Sequence, residues 1–317
     1  MSLGVYLITG AYDHQLNFWD ATSGQCLQSI EYSEKRQFII NKIEISLDKC
    51  LLGAACSNSA MIYDIQKPSQ MPIFNFDGYQ GNVTSIGFQK DRKWIYTSGE
   101  EGVLKIHDLS AKPNGKGYNR MFQNSTKDAF NTVVLHPNEA ELIAGDQAGN
   151  IKIYDLTADK LRETITPSPE IGIRSLSIAL NGAFICSADS AGTVNQYLLQ
   201  EDNQSSLKHI QKFEAHNDYI LKCLVSPDTS LLATCSADKT IKLWERQNDQ
   251  YSLFKTLYGH SKWVWDCVFS CDTDFLISVS SDSLAKIWKT DTGEEIKALK
   301  GHKGAINCIA LNDMETD

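Results

Sequence analysis

The chain has 317 residues, 42% hydrophobic and 22% charged, with 30 Lys and Arg against 39 Asp and Glu and a formal net charge of -9. That much apolar material supports a large core and excludes a disordered chain, while the negative field repels phosphate backbones and argues against nucleic acid and anionic membranes as partners. No apolar run reaches the about 20 residues that span a bilayer, which argues against membrane insertion, and MSLGVYLITGAYD lacks the positive flank of a secretory signal. Nine cysteines, an odd number and mostly within apolar runs, read as reduced core thiols of a cytosolic or nuclear protein.

In chain order, seven segments close an alternating apolar strand with an aromatic or His, usually followed by a carboxylate. They are LNFWD to Asp20, MIYD to Asp64, LKIHD to Asp108, IKIYD to Asp155, VNQYL to Leu198, IKLWE to Glu245 and AKIWK to Lys289. From Trp19 through Tyr63, His107, Tyr154, Tyr197 and Trp244 to Trp288 the steps are 44, 44, 47, 43, 47 and 44 residues. The two longer steps carry polar loops, AKPNGKGYNR from Ala111 and QEDNQSSLKHIQK from Gln200. Short runs such as CLVS, LLATCS and TIKLW, separated by Asp, Ser, Gly and Pro, predict consecutive antiparallel strands, and no stretch sustains a helical period. A repeat running through the whole chain overrides the two domains that length alone suggests.

A period of about 40 to 45 residues resembles that of WD-repeat β-propellers. The resemblance implies an all-β, seven-bladed propeller over residues 1–317 as one domain, with four strands per blade around a channel. The first unit has YLITGA, QLNFWD and QCLQSI but no inner strand before them, whereas the terminal GHKGAINCIAL supplies one inner strand and stops. The expectation is a ring closed by a three-plus-one blade, the C-terminal strand pairing beside the N-terminal ones.

Blade six carries His216, Ser236, Asp238 and Trp244, and blade seven repeats the set as His260, Ser280, Asp282 and Trp288. A Ser, a His and an Asp invite a hydrolase reading, but neither serine sits in a nucleophile elbow and no oxyanion hole is evident. An enzyme needs one such site, whereas a repeat protein needs the same clamp in several blades. The set is therefore expected to be a structural chain in which Asp orients His, His meets the Ser hydroxyl, and that hydroxyl accepts the Trp indole N–H. Ala11 stands where the first blade's Ser would be, and His107, Tyr154 and Tyr197 replace Trp, so those blades are expected to rely more on apolar packing. SAKPNGKG misses a P-loop at Ser110 and Gly117, and Cys267 with Cys271 lacks the other ligands of a zinc site; no cofactor is expected. His14 and His136 read as solvated loop residues.

LHPNEAELIAGDQAGNIKIYDL (Leu135 to Leu156), SPDTSLLATCSADKTIKLW (Ser226 to Trp244), KWVWDCVFS (Lys262 to Ser270) and SSDSLAKIWKTDTGE (Ser280 to Glu294) resemble the G-beta-like subunit of the TOR kinase complexes. That is the family also called lethal with sec thirteen, protein eight, and the resemblance covers essentially the whole chain. It implies a non-catalytic scaffold, cytoplasmic and brought to endomembrane surfaces through its complex, docked on the C-terminal lobe of a TOR-type kinase domain beside companion subunits. On a propeller, function resides in loops and channel rim. The start of each inner strand should reach that rim, which aligns Trp263 and Trp265 with Tyr219 and Leu221, with Ala305 and Asn307, and with Asn41, Thr84, Asn131 and Arg174. Two tryptophans at alternate positions share a face, so they are either buried together as core between blades or exposed together as the aromatic anchor of a hydrogen-bonding rim. The competing reading is a reader of histone or degron peptides that cages methylated Lys. A heterotrimeric G-protein β-subunit would need a long N-terminal helix, but the strand pattern starts by about Val5.

Overall fold

Carboxylates that follow the third strand of a unit turn the chain. Asp20 Oδ1 accepts the backbone N–H of Thr22 and Ser23, Asp64 Oδ1 those of Gln66 and Lys67, and Asp155 Oδ1 those of Thr157 and Ala158. An Asp side chain that mimics a backbone turn in this way reverses the strand direction within a few residues. The computed structural model describes residues 6–31, 39–67, 69–110, 119–199 and 207–313. All of residues 111–117 in the P-loop-like stretch and most of the two polar loops lie outside those residues.

Seven four-stranded antiparallel sheets form the blades of a propeller. In blades two to seven the innermost strands are Ile40–Ile45, Val83–Phe88, Phe130–Leu135, Ile173–Ile178, Ile220–Val225 and Val264–Phe269. Blade one is assembled from both ends of the chain: Ile306–Asn312 pairs antiparallel with Tyr6–Ala11, which continues into Gln15–Asp20 and Cys26–Glu31. Ring closure is three plus one, as the missing inner strand of the first unit requires.

The core lies between blades. Each of seven apolar clusters among the described residues draws from two adjacent blades, one cluster per seam, so every blade is stabilised from both sides. At the seam of blades one and two, Ile8, Leu16 and Phe18 meet Ile40, Leu52 and Tyr63; where the ring closes, Leu7 and Trp19 meet Ile277 and Ile287. Trp94 packs, half-buried, against the cluster between blades three and four. The nine cysteines are free thiols, six of them buried, and burial pushes the Cys56 and Cys223 thiols up to about 12.

On the face opposite the His-bearing loops, neighbouring blades are clasped by polar pairs: Arg92 Nε lies 2.8 Å from Asp48 Oδ2, and Gln89 Nε2 donates to Glu139 at 3.0 Å. Asp313, just past the closing strand, holds both flanks, taking Lys49 Nζ of blade two at 3.1 Å and the Cys271 N–H of blade seven at 2.5 Å. His136 belongs to this belt and is not a solvated loop residue. It is buried, its Nδ1 accepts the Asn138 N–H at 3.1 Å, and a Cβ on Gly182 of the next blade would lie 3.0 Å from its ring.

Candidate functional site at the channel mouth

The His and Asp of blades six and seven form the expected chain, but its hydroxyl is not the expected one. His216 Nδ1 meets Asp238 at 2.8 Å, while His216 Nε2 and Trp244 Nε1 both reach Thr234 Oγ1, at 2.8 and 3.0 Å. In blade seven His260 Nδ1 meets Asp282 at 2.9 Å, and Ser278 Oγ takes His260 Nε2 at 2.9 Å and Trp288 Nε1 at 2.8 Å. Ser236 and Ser280 stand two residues further on and instead accept the Asp238 and Asp282 backbone N–H, each at 3.1 Å. Strand geometry explains the correction. Trp244 lies directly opposite Leu232, so its long side chain leans to the diagonal neighbour Thr234, and Ser236 is a further two-residue step away.

Blade one, which the sequence places outside the pattern at Ala11, has the complete chain. Trp19 Nε1 donates to Thr9 Oγ1 at 2.8 Å, Thr9 Oγ1 meets His302 Nε2 at 2.8 Å, and His302 Nδ1 meets Asp13 at 2.9 Å. Here the network crosses the closure, joining one chain end to the other. Blades three and four carry polar substitutes where apolar packing was expected. Tyr79 OH, Thr97 Oγ1 and His107 Nε2 lie within 2.7 to 3.1 Å of one another, and a buried Lys152–Asp146 ion pair at 3.3 Å with Asn124 takes the place in blade four. Tyr154 does pack on Phe122 and Phe130.

These hydroxyls are buried and already engaged by two partners each, which is the work of a clamp. Replacing Thr234 by Val or Ser278 by Ala leaves an indole N–H and an imidazole nitrogen unpaired, so each should lower unfolding stability by about 1 to 3 kcal/mol in urea melts. Ser236→Ala and Ser280→Ala should cost less than either. A larger loss from Ser236→Ala than from Thr234→Val would return the clamp to the serines.

The three clamp carboxylates also set an acid limit. Burial alone would raise the Asp13, Asp238 and Asp282 carboxyls, but hydrogen bonds and charge from their His partners outweigh it and hold all three below the usual carboxylate range. A folded-state pKa depressed in this way contributes stability that is complete above the unfolded value near about 3.9 and is lost as pH falls through the folded value. Wild-type stability should therefore decline as pH drops below about 4, and Asp238→Asn should flatten that decline in urea melts taken across the range. An equally steep decline in the variant would remove Asp238 from the account.

At the rim, six of the inner strands have a one-residue register shift against their neighbour near their start, and the closing strand has its shift opposite Gly10 and Ala11. The extra residue in each is Asn41, Thr84, Asn131, Arg174, Leu221, Trp265 and Asn307, the column expected from sequence. A bulge leaves its residue unpaired and re-aims its side chain, and all seven line one cavity of about 410 Å³ at the channel mouth. Tyr219 and Trp263, each two residues before a bulge, stand more than two-fifths exposed on the adjoining surface. The Trp263 and Trp265 rings are 5.8 Å apart and share a face as expected, with Trp265 Nε1 fixed on Ser281 Oγ at 2.7 Å.

The column divides into two arcs. Asn307 donates to the Ile40 carbonyl, Asn41 to Val83 O at 3.0 Å, Thr84 to Phe130 O and Asn131 to Ile173 O at 2.9 Å, so four successive side chains stitch blades one to five together. Among the described residues Arg174, Leu221 and Trp265 make no such stitch: Arg174 Nε donates to Ser190 Oγ of its own blade at 2.8 Å, beneath the Tyr219 ring. The aromatic surface thus lies over blades five to seven.

One tier below the bulges the lumen is charged. Lys222 Nζ pairs with Asp266 at 2.8 Å, and Lys42 Nζ lies 3.2 Å from Ser85 Oγ and 3.7 Å from Glu44. Burial lowers the Lys42 ammonium and raises the Glu44 carboxyl, whereas Asp266 more than offsets burial at Lys222 and keeps it protonated. Sequence reasoning missed this tier, although the charges inside the apolar runs INKIEI, ILKCLV and VWDCVF were its signal. Tyr12, Asn82 and Glu100 at the mouth carried none.

Among the described residues no cluster of His, Cys, Asp or Glu could hold a metal ion. The family model described as WD domain, G-beta repeat matches residues 70–108, 207–245 and 251–289. The chain is 41% identical over 316 residues to target of rapamycin complex subunit LST8 of Saccharomyces cerevisiae, covering 98% of this chain and 100% of the relative. It is 40% identical over 312 residues to target of rapamycin complex subunit wat1 of Schizosaccharomyces pombe, covering 98% and 96%, and 40% identical over 320 residues to mouse LST8, covering 98% and 95%. With full-length similarity at this level and a WD-repeat propeller closed through its own termini, this chain belongs to the LST8 family.

Proposed function

We propose that the chain is a non-catalytic subunit of a target of rapamycin complex and docks the kinase, at the C-terminal lobe of its domain, with the aromatic arc of the channel mouth. The observation that carries the reading is the end-to-end similarity to relatives named as subunits of that complex. Position supports it as well. Trp263, Trp265, Tyr219 and Leu221 bring apolar surface to the one stretch of rim whose bulge residues are not stitched to the next blade, and Trp, Tyr and Arg are the residue types that anchor interfaces. A cytoplasmic location goes with this reading. Purifying the tagged chain from its own cells and identifying what co-purifies by mass spectrometry tests it. A TOR-type kinase should be recovered, and recovery of chromatin proteins or ligase subunits without one would reject the assignment.

A further inference from the structure

The channel mouth gathers positive charge in a chain whose net charge is -9. Three cations, Lys42, Arg174 and Lys222, line it against two carboxylates, Glu100 and Asp266. Both carboxylates are committed: Glu100 accepts the Asn82 backbone N–H at 3.1 Å and its side-chain amide at 3.0 Å, and Asp266 holds Lys222 and accepts the Ile309 N–H at 3.2 Å. Arg174 has no carboxylate within ion-pairing distance among the described residues, and its side chain donates to the Ser190 hydroxyl of its own blade. Lys42 donates to the Ser85 hydroxyl at 3.2 Å, and its one ion-pair partner among the described residues is Glu44 at 3.7 Å.

We propose that this mouth is an oxyanion site, in which a carboxylate or phosphate group enters the cavity of about 410 Å³ and is held between Lys42 and Arg174. Cations of like sign that face one cavity repel one another until an anion arrives, and their partly desolvated walls then strengthen the attraction. Guanidinium and ammonium together supply the fork and the point charge that oxyanions take up. The oxyanion comes either from a free small molecule or from an acidic side chain of the docked kinase. The second source rests on the docking reading above, and the first does not.

The test begins with the isolated full-length chain, titrated with inorganic phosphate at constant ionic strength. A free-anion site raises Tm by about 2 °C or more, and Lys42→Met and Arg174→Gln each remove that rise while melting normally in chloride. Arg174→Gln leaves no carboxylate stranded, so it keeps the test decisive should Lys42→Met fold poorly. If phosphate leaves the wild type unmoved, the oxyanion belongs to the kinase, and either variant should weaken kinase capture by about tenfold or more, with the deficit shrinking as salt is raised. An equal phosphate rise in wild type and both variants overturns the site, as does no rise together with unchanged capture. Should the Trp263 and Trp265 double variant described below retain the kinase, docking at this rim is wrong and the phosphate titration alone decides.

Discussion

Deleting residues 304–317 should leave no cooperatively folded monomer. The deletion removes the strand Ile306–Asn312, which supplies the innermost position of blade one and is buried along its whole length. Ile306, Ile309 and Leu311 pack at the closing seam, and Cys308 and Ala310 pack on the other side against blade two. At about 1.5 to 3 kcal/mol for each large aliphatic side chain, the three lost from the closing seam alone are worth about 5 to 9 kcal/mol, comparable to the whole stability of many domains. The strand Tyr6–Ala11 would also become an unpaired edge open to other chains. Asp313 would no longer clasp Lys49 and Cys271. Size-exclusion chromatography and urea unfolding of the truncated chain read the outcome. A monomer with an unchanged urea midpoint would show that the ring does not depend on this closure.

The double substitution Trp263→Ala and Trp265→Ala should release a TOR-type kinase while the propeller still folds. Trp263 is 43% exposed and Trp265 half-buried, so truncating them opens no sealed cavity in a seam cluster. Interface anchors of this kind contribute about 2 kcal/mol or more each, so losing both weakens binding by about a thousandfold or more. Core tryptophans would behave differently, costing about 3 to 5 kcal/mol of folding stability apiece. Melting temperature and kinase capture measured on one protein separate these cases. Trp19→Ala is the internal comparison: that side chain is fully buried at the closure and holds Thr9, so its loss should collapse folding along with binding. A well-folded double variant that keeps its kinase would move the interface to another face.

Much of the site was legible because a repeat multiplies each signal. The rim column was found by aligning inner strands, and all seven bulge residues do reach the mouth. Hidden in the alignment was the reason they reach it. A bulge is a count of two residues against one, and it exists only between paired strands. Their division of labour was hidden too. Asn41 and Arg174 occupy equivalent positions and both carry donors, yet one donates to a carbonyl of the next blade and the other to a serine of its own.

By itself, the sequence determined the period, the seven units, the His and Asp pairs of blades six and seven, and the closing of the ring. The first three follow from the spacing of the repeat and the last from chain connectivity, since a strand absent at one end and present at the other leaves one pairing that satisfies both. Tertiary structure alone decided that Thr234 and Ser278, and not Ser236 and Ser280, receive the indole and imidazole. Residues two apart on a strand share a face, so the choice falls to the diagonal lean of Trp244 and Trp288 across the neighbouring strand. Blade one's clamp was missed for the same reason, because its hydroxyl was sought at Ala11, two residues past Thr9. The lumen charges became a site in the same way: Lys42 and Arg174 sit three blades apart along the chain, and only closure of seven blades around one axis faces them into a common cavity.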